Sequence, residues 1–313
     1  DGNRDGLSKT YENGQLNYLF EYKDGNKDGL SETYDENGQL ESSGNYKDGE
    51  MDGLFKSYYE NGELKLSRSY KDGKLYGLIE TYYENGELRS SGNYKDGELD
   101  GLCEYYRDNG KLRIIRNYKD GEEVGLSEYH DNGQLRISEN YKDGKQVGAT
   151  KVYYENGDLR IIRNYKDGEL DGSYKSYYEN GQLENSTNYK DGKKVSSSKY
   201  YENGQLRDSE NYKDGELDGL FKFYYENGQL RESGNCKDVQ LDGPYKQYYE
   251  NGQLRCSENY KDGEKDGLCE YYRENGQLRF SRNYKRGKFY LAHSDIPYSG
   301  EDNIYYENGH LHL

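Results

Sequence analysis

Tryptophan is absent from this 313-residue chain, and Met, Pro, Cys and His number one, two, four and four. Without Trp, an aromatic cage for a glycan or a quaternary amine lacks its best building block. Four Cys do not make a disulfide framework: Cys103 and Cys269 occupy one place in the repeat described below, Cys236 replaces a recurrent Tyr, and Cys256 lies elsewhere. Counting along the strands puts Cys256 and Cys269 on opposite faces, so four free thiols acting as small hydrophobes are expected. Apolar residues make up only 31% of the chain even with 40 Tyr included, too little for a thick globular core, and no apolar run reaches the length of a membrane-spanning helix. Cations are in deficit as well. Lys and Arg total 44 against 60 Asp and Glu, a net charge of −16 that disfavours nucleic-acid phosphates and anionic lipid head groups as direct ligands.

What is present is a repeat. The motif acidic-Asn-Gly-x-Leu, as in Glu226-Asn227-Gly228-Gln229-Leu230, recurs from Gly14 to Gly276 at intervals of 24 residues, twice 23, and again after a gap of 33 at Gly309. Such a period marks an array whose units contact chiefly their neighbours. Between the motifs, Tyr-rich runs are separated alternately by Asn-Gly and Asp-Gly, the signal of antiparallel hairpins. Helix is excluded by 40 Gly, each costing about 1 kcal/mol in a helix interior. The expected fold is all-β: an elongated repeat array of antiparallel β-hairpins forming one long twisted single sheet with a thin Tyr/Leu core. Residues 1–285 are expected to be the array. Residues 286–313, with an irregular stretch from Arg286 to Asn303, are expected to cap its open edge. Asp1-Gly2 reads as the tail of a Tyr-Lys-Asp-Gly unit, which places the natural N-terminus upstream.

Strand faces can be assigned by counting. Four residues before the motif Gly stands Tyr in twelve of thirteen units, Thr10 being the exception, whereas the next position varies and includes Asp35, Arg107, His130 and Arg273. Strict alternation turns the recurrent Tyr inward and the variable residue outward. On the return strand, Leu40 then shares the inner side with Tyr46, and Arg68, Arg116, Glu139 and Arg163 lie at its margin. A three-residue Glu-Asn-Gly loop with left-handed Gly places Tyr224 opposite Leu230, whereas a two-residue turn would place Tyr225 there. The stricter recurrence of the first Tyr favours the longer loop. Bends or bulges are expected before Gly14 and Gly133, where a strand residue is missing, and at Val195-Ser196-Ser197-Ser198.

Catalysis is not expected, and no cofactor or metal is implied. The carboxylates recur in each turn, whereas an acid/base pair needs an environment built once. No Ser, Cys or Lys has a base beside it, and His310 and His312 lack a third ligand. Asp-Gly-x-x-Asp-Gly turns such as Asp214 to Gly219 do not have the ligand spacing of a calcium loop. The candidate site is a partner-binding patch of Arg107, Arg113, Ile115, His130, Arg160 and Ile162. Five after the motif Gly the polar face normally carries Ser; Ile115 and Ile162 replace it beside Arg113 and Arg160, with Arg107 and His130 on the same side. Apolar groups ringed by Arg on a polar face suit a protein interface.

The segment Ser43 to Gly62, Ser-Gly-Asn-Tyr-Lys-Asp-Gly-Glu-Met-Asp-Gly-Leu-Phe-Lys-Ser-Tyr-Tyr-Glu-Asn-Gly, resembles the MORN repeat. The form Tyr-Tyr-x-Asn-Gly-x-Leu is similar to the bacterial MORN variant, including the group described as antitoxin-like. The resemblance covers nearly the whole chain and implies a non-enzymatic scaffold without shared catalytic residues. A protein partner in a toxin-neutralising or host-contact role is the expected function; the compartment is left open by the sequence, a bacterial cell-surface or secreted location being favoured over a cytoplasmic one. MORN repeats also accompany phosphoinositide kinases, but no His-Arg-Asp or Asp-Phe-Gly sequence occurs here. The competing reading is a cell-wall or glycan-binding module, since tandem aromatic hairpins also resemble choline- and glucan-binding repeats. An enzyme would require a catalytic domain upstream of residue 1.

Overall fold

The computed structural model describes residues 4–290 and the backbone of 304–305 and 311–312. The described residues form strands and turns, without helix. Thirty-two strands, Gly6–Glu12 to Lys288–Tyr290, belong to one antiparallel sheet, and Ile304–Tyr305 pairs with Leu311–His312 apart from it. The chain divides into two units, Asp1–Gly157 and Asp158–Leu313. Within each, neighbouring strands follow sequence order. Beyond Tyr290 the expected cap lies outside the described residues apart from that short pair, as do His293 and His310.

The two ends of a hairpin turn differently. At one end Lys47 pairs with Glu50 around Asp48-Gly49, whose φ values of 49° and 91° make the two-residue turn for which Asp-Gly is suited. At the other, Tyr225 N–H donates to the Gln229 carbonyl (2.8 Å) and Gly228 N–H to the Tyr225 carbonyl (2.9 Å), with Gly228 at φ 82°. This is the three-residue loop expected from sequence, and Tyr224 faces Leu230. After each Asp-Gly turn the strand bulges. In Glu98–Tyr106, Tyr94 faces Leu99 but Gly92 faces Cys103, so three residues oppose Asn93. In many units the bulge splits the strand, as into Glu50–Met51 and Gly53–Tyr58.

Short units give up a residue in two ways. Before Gly14 and Gly133 the loop itself contracts: Glu12 pairs with Gln15 and Asp131 with Gln134 around a two-residue turn, with Asn13 and Asn132 both at φ 51°. Tyr11 and His130 therefore face Leu16 and Leu135, so Thr10 is no exception to the rule, while Tyr129 has moved to the other face. At Val195 the Asp-Gly bulge shrinks instead. Asn188 faces Ser196 and Tyr189 faces Lys194, which leaves one extra residue in a continuous strand.

The inward assignment of the recurrent Tyr is overturned. Phe223 faces Glu232 while Tyr224 faces Leu230, so Arg231 is an extra residue that resets alternation on the return strand. Within each unit the buried side chains lie on one face, Cys103, Ser127 and Thr150 in the first and Phe221, Cys256, Glu258 and Cys269 in the second. The recurrent Tyr stands on the other: the hydroxyls of Tyr34, Tyr82 and Tyr272 donate to Glu32, Glu80 and Glu270, each two residues earlier on the same strand. Cys256 and Cys269 consequently lie on the same buried face, not on opposite ones, and all four thiols are free and buried. Nor are the inward arginines marginal. Arg116 donates to the Tyr129 hydroxyl at 3.1 Å, and Arg68 lies over the rings of Phe55 and Tyr70. Glycine makes room where rings cross the strand: a Cβ on Gly234 would stand 2.6 Å from Phe221 Cζ.

Candidate functional site

The variable residue before the loop and the loop Asn hold one turn to the next. The Tyr225 hydroxyl donates to the Tyr248 carbonyl at 2.9 Å, and Asn227 Nδ2 to the Glu250 carbonyl at 3.0 Å. The same pair of bonds joins Tyr59 and Asn61 to Tyr82 and Glu84, and Tyr201 and Asn203 to Tyr224 and Glu226. Each bond contributes about 1 kcal/mol, so the Tyr-Tyr-Glu-Asn-Gly sequence is in large part an instruction for stacking units.

Arg107 stands where this Tyr would be, and the next turn is the shortened one. Its Nη2 lies 2.6 Å from Asp131 Oδ1, Asp131 also approaches Arg136 at 4.0 Å, and Arg136 Nη1 donates to the Tyr154 carbonyl at 2.6 Å. Arg107 is thus occupied in joining units across a contracted loop. Of the other patch residues in the first unit, Arg113 is the exposed bulge residue between Leu112 and Ile114. Ile115 is half-buried and pairs with Glu104 on one side and Glu128 on the other. The His130 side chain is 12% exposed, with Nε2 3.8 Å from Glu128. The structure therefore brings Ile115, Glu128 and His130 together on one face, and the surround of Ile115 is acidic as well as basic. In the second unit, Arg160 is exposed and Ile162 pairs with Lys175.

The densest polar cluster lies on the buried face of the second unit. Glu258, 7% exposed, accepts from Tyr260 (2.6 Å), Lys265 Nζ (2.7 Å) and the Tyr271 hydroxyl. Burial pushes its carboxyl up, but these three donors outweigh that and hold it below the ordinary value. A cavity of about 330 Å³ is lined by Glu258, Tyr260 and Tyr271 with Tyr245, Gln247, Arg255 and Cys256. Burial pushes the Cys256 thiol up to about 11, the opposite of what an activated nucleophile needs. Among the described residues, no group of three or more His, Cys, Asp or Glu is placed to hold a metal.

The largest unpartnered feature was not anticipated from sequence. On the face of the recurrent Tyr, Leu7, Leu30, Leu54, Leu78, Leu102 and Leu126 of the first unit are 37–53% exposed, one per repeat at the same register. Leu220 and Leu268 are similarly exposed in the second unit. The signal was the recurrent Gly-Leu after each Asp-Gly turn. Strict alternation had turned this face inward together with the recurrent Tyr.

The repeats match the family described as MORN repeat variant over residues 27–48, 51–72, 75–96, 99–120, 126–143, 146–167, 170–191, 196–214, 217–238, 241–262 and 265–286. No curated protein matches the chain. Similar solved structures include TcdB2-TccC3, 14% identical over 96% of this chain and 20% of that chain with a TM-score of 0.20. Another is TcdB2-TccC3-Cdc42, 14% identical over 95% and 19% with the same TM-score of 0.20. The chain spans about a fifth of the length of those proteins, and a TM-score this low carries no argument about it. The eleven family matches, set on hairpins whose loops and inter-unit bonds repeat with them, place this chain in the MORN repeat family, in its variant form.

Proposed function

We propose that the chain is a non-enzymatic scaffold that binds another protein through the face carrying the exposed leucines. The observation that carries this reading is the leucine row: one half-exposed apolar side chain per repeat, held in register by the hydrogen-bonded ladder. Regularly repeated apolar exposure of this kind is of little use to a solitary protein and useful to a binding one. The acidic balance disfavours nucleic acid and anionic membranes as direct partners. A toxin-neutralising or host-contact role is the specific form suggested by the likeness of Tyr-Tyr-x-Asn-Gly-x-Leu to antitoxin-like repeats.

The test is affinity capture from the source organism with wild type, a Leu54→Asp/Leu78→Asp/Leu102→Asp variant, and Ile115→Glu with Ile162→Glu. Loss of the captured proteins in the leucine variant alone supports the reading. Undiminished capture by all three refutes it. Saturable quenching of Tyr fluorescence by choline or soluble glucan would instead favour the glycan-binding reading.

A further inference from the structure

We infer that the loop junction around Asp35 is a binding site for a phenol ring carried on a cationic chain. The inference stands apart from the leucine face and does not rest on it. The repeat itself supplies the template for the occupant. At stitched junctions a Tyr of one loop reaches the main chain of the next unit: the Tyr59 hydroxyl donates to the Tyr82 carbonyl at 2.7 Å, and that of Tyr83 to the Tyr106 carbonyl at 2.8 Å. A cation from the return strand lies over the ring. Lys65 is 5.4 Å from the Tyr59 centroid, Arg89 5.8 Å from that of Tyr83 and Arg255 5.9 Å from that of Tyr249.

At the junction before Tyr58 both parts are exchanged for carboxylates. Asp35 stands at the place of the ring and Glu41 at the place of Lys65. A carboxylate has no proton to give the Tyr58 carbonyl, and Asp35 turns back into its own loop, where Oδ1 accepts the N–H groups of Asn37 at 2.9 Å and Gln39 at 2.8 Å. Asn61 joins its loop to the Glu84 carbonyl at 2.8 Å, whereas among the described residues no such bond runs from Asn37 to Glu60. A cavity of about 790 Å³ opens at this junction, lined by Asp35, Leu40, Glu41, Tyr58 and Tyr59 and reaching Glu84 of the following loop. That is within the size range of ligand sites and larger than one ring requires. Its charged lining is Asp35, Glu36, Glu41, Glu60 and Glu84 against Lys65 alone. An occupant that restores what the neighbouring junctions hold internally must bring a hydroxyl for the Tyr58 carbonyl, a ring to fill the gap, and its own positive charge where Lys65 and Arg89 serve elsewhere. A free phenolic amine has that make-up, and so does a Tyr side chain flanked by Lys in a polypeptide.

Tyramine titrated into the isotope-labelled full chain, read by amide NMR, tests this. Shifts confined to the loops lining the cavity, 35–41 and 58–61, are expected, with half-saturation at about 1 mM for a ligand of this size. Phenethylamine, which lacks the hydroxyl, should bind about fivefold more weakly. Asp35→Tyr puts the chain's own ring in the gap, so it should abolish the shifts and raise the urea midpoint as the Tyr58 carbonyl regains a donor. A Lys-Tyr-Lys peptide binding at least about tenfold tighter than tyramine names a polypeptide Tyr as the occupant, and a smaller gain names a free phenolic amine. No localised shift with either probe up to about 20 mM overturns the inference. So does phenethylamine binding as tightly as tyramine, or tyramine shifting the Asp35→Tyr variant as it shifts wild type.

Discussion

Removing the loop Asn should cost more where units are stitched through it than where they are not. Asn227 makes two bonds: Oδ1 accepts Gln229 N–H at 2.9 Å inside its own loop, and Nδ2 donates to the Glu250 carbonyl of the next unit at 3.0 Å. Asn109 occupies the same loop position and accepts Lys111 N–H at 3.1 Å, but the following turn is one residue shorter and presents no carbonyl to its amide. Asn→Ala at either site loses the local bond and the same turn preference, worth about 1 kcal/mol. Only Asn227→Ala also loses the inter-unit bond, about another 1 kcal/mol, so the two variants should differ by about that amount. Asn227→Asp keeps the acceptor and loses the donor, which isolates the inter-unit loss. The assay is urea unfolding followed by Tyr fluorescence, read as a midpoint shift at constant slope, with amide exchange at Tyr249 to Gln253 reporting the neighbouring loop. In a repeat array the loss belongs to one interface, so protection should fall first there. Equal costs at the two sites, or a larger one at Asn109, would refute the stitching argument.

Two further predictions concern titration. Tyr141, Tyr212, Tyr245, Tyr260 and Tyr271 are raised above the ordinary 10.0, first by burial and then by the carboxylates their hydroxyls face. Their contribution to stability is complete below pH 10 and lost as pH rises beyond it, so phenolate absorbance should lag that of the urea-unfolded chain and alkaline unfolding should accompany it. Glu258 has the opposite sign: its stabilisation is present above the ordinary Glu value and lost as pH falls toward its depressed one, so Glu258→Gln should be destabilising near neutrality and converge on wild type in acid. The thiols supply the last. With Cys256 pushed up to about 11 from 9.0, its thiolate fraction at mild alkaline pH falls about 100-fold, and iodoacetamide labelling should slow by at least that factor relative to the unfolded chain.

The amino-acid order alone determined the period, the all-β class and both turn types, because these are local. Asp48-Gly49 can occupy two successive left-handed positions, and Glu226-Asn227-Gly228 can close a loop with Gly228 at φ 82°, whatever surrounds them. Which face each side chain takes was settled only by the assembled sheet. Arg231 adds one residue to its strand and none to the partner, and each such single insertion reverses a parity that counting assumes to be unbroken, whereas the three residues opposite Asn93 add two and preserve it. The burial of Cys103 and Cys269, the exposure of the leucine row and the glutamates on either side of Ile115 all follow from where those insertions fall. The bond from Tyr225 to the Tyr248 carbonyl likewise exists only once two units lie side by side, since its partners are 23 residues apart and neither carries a local sign of the other.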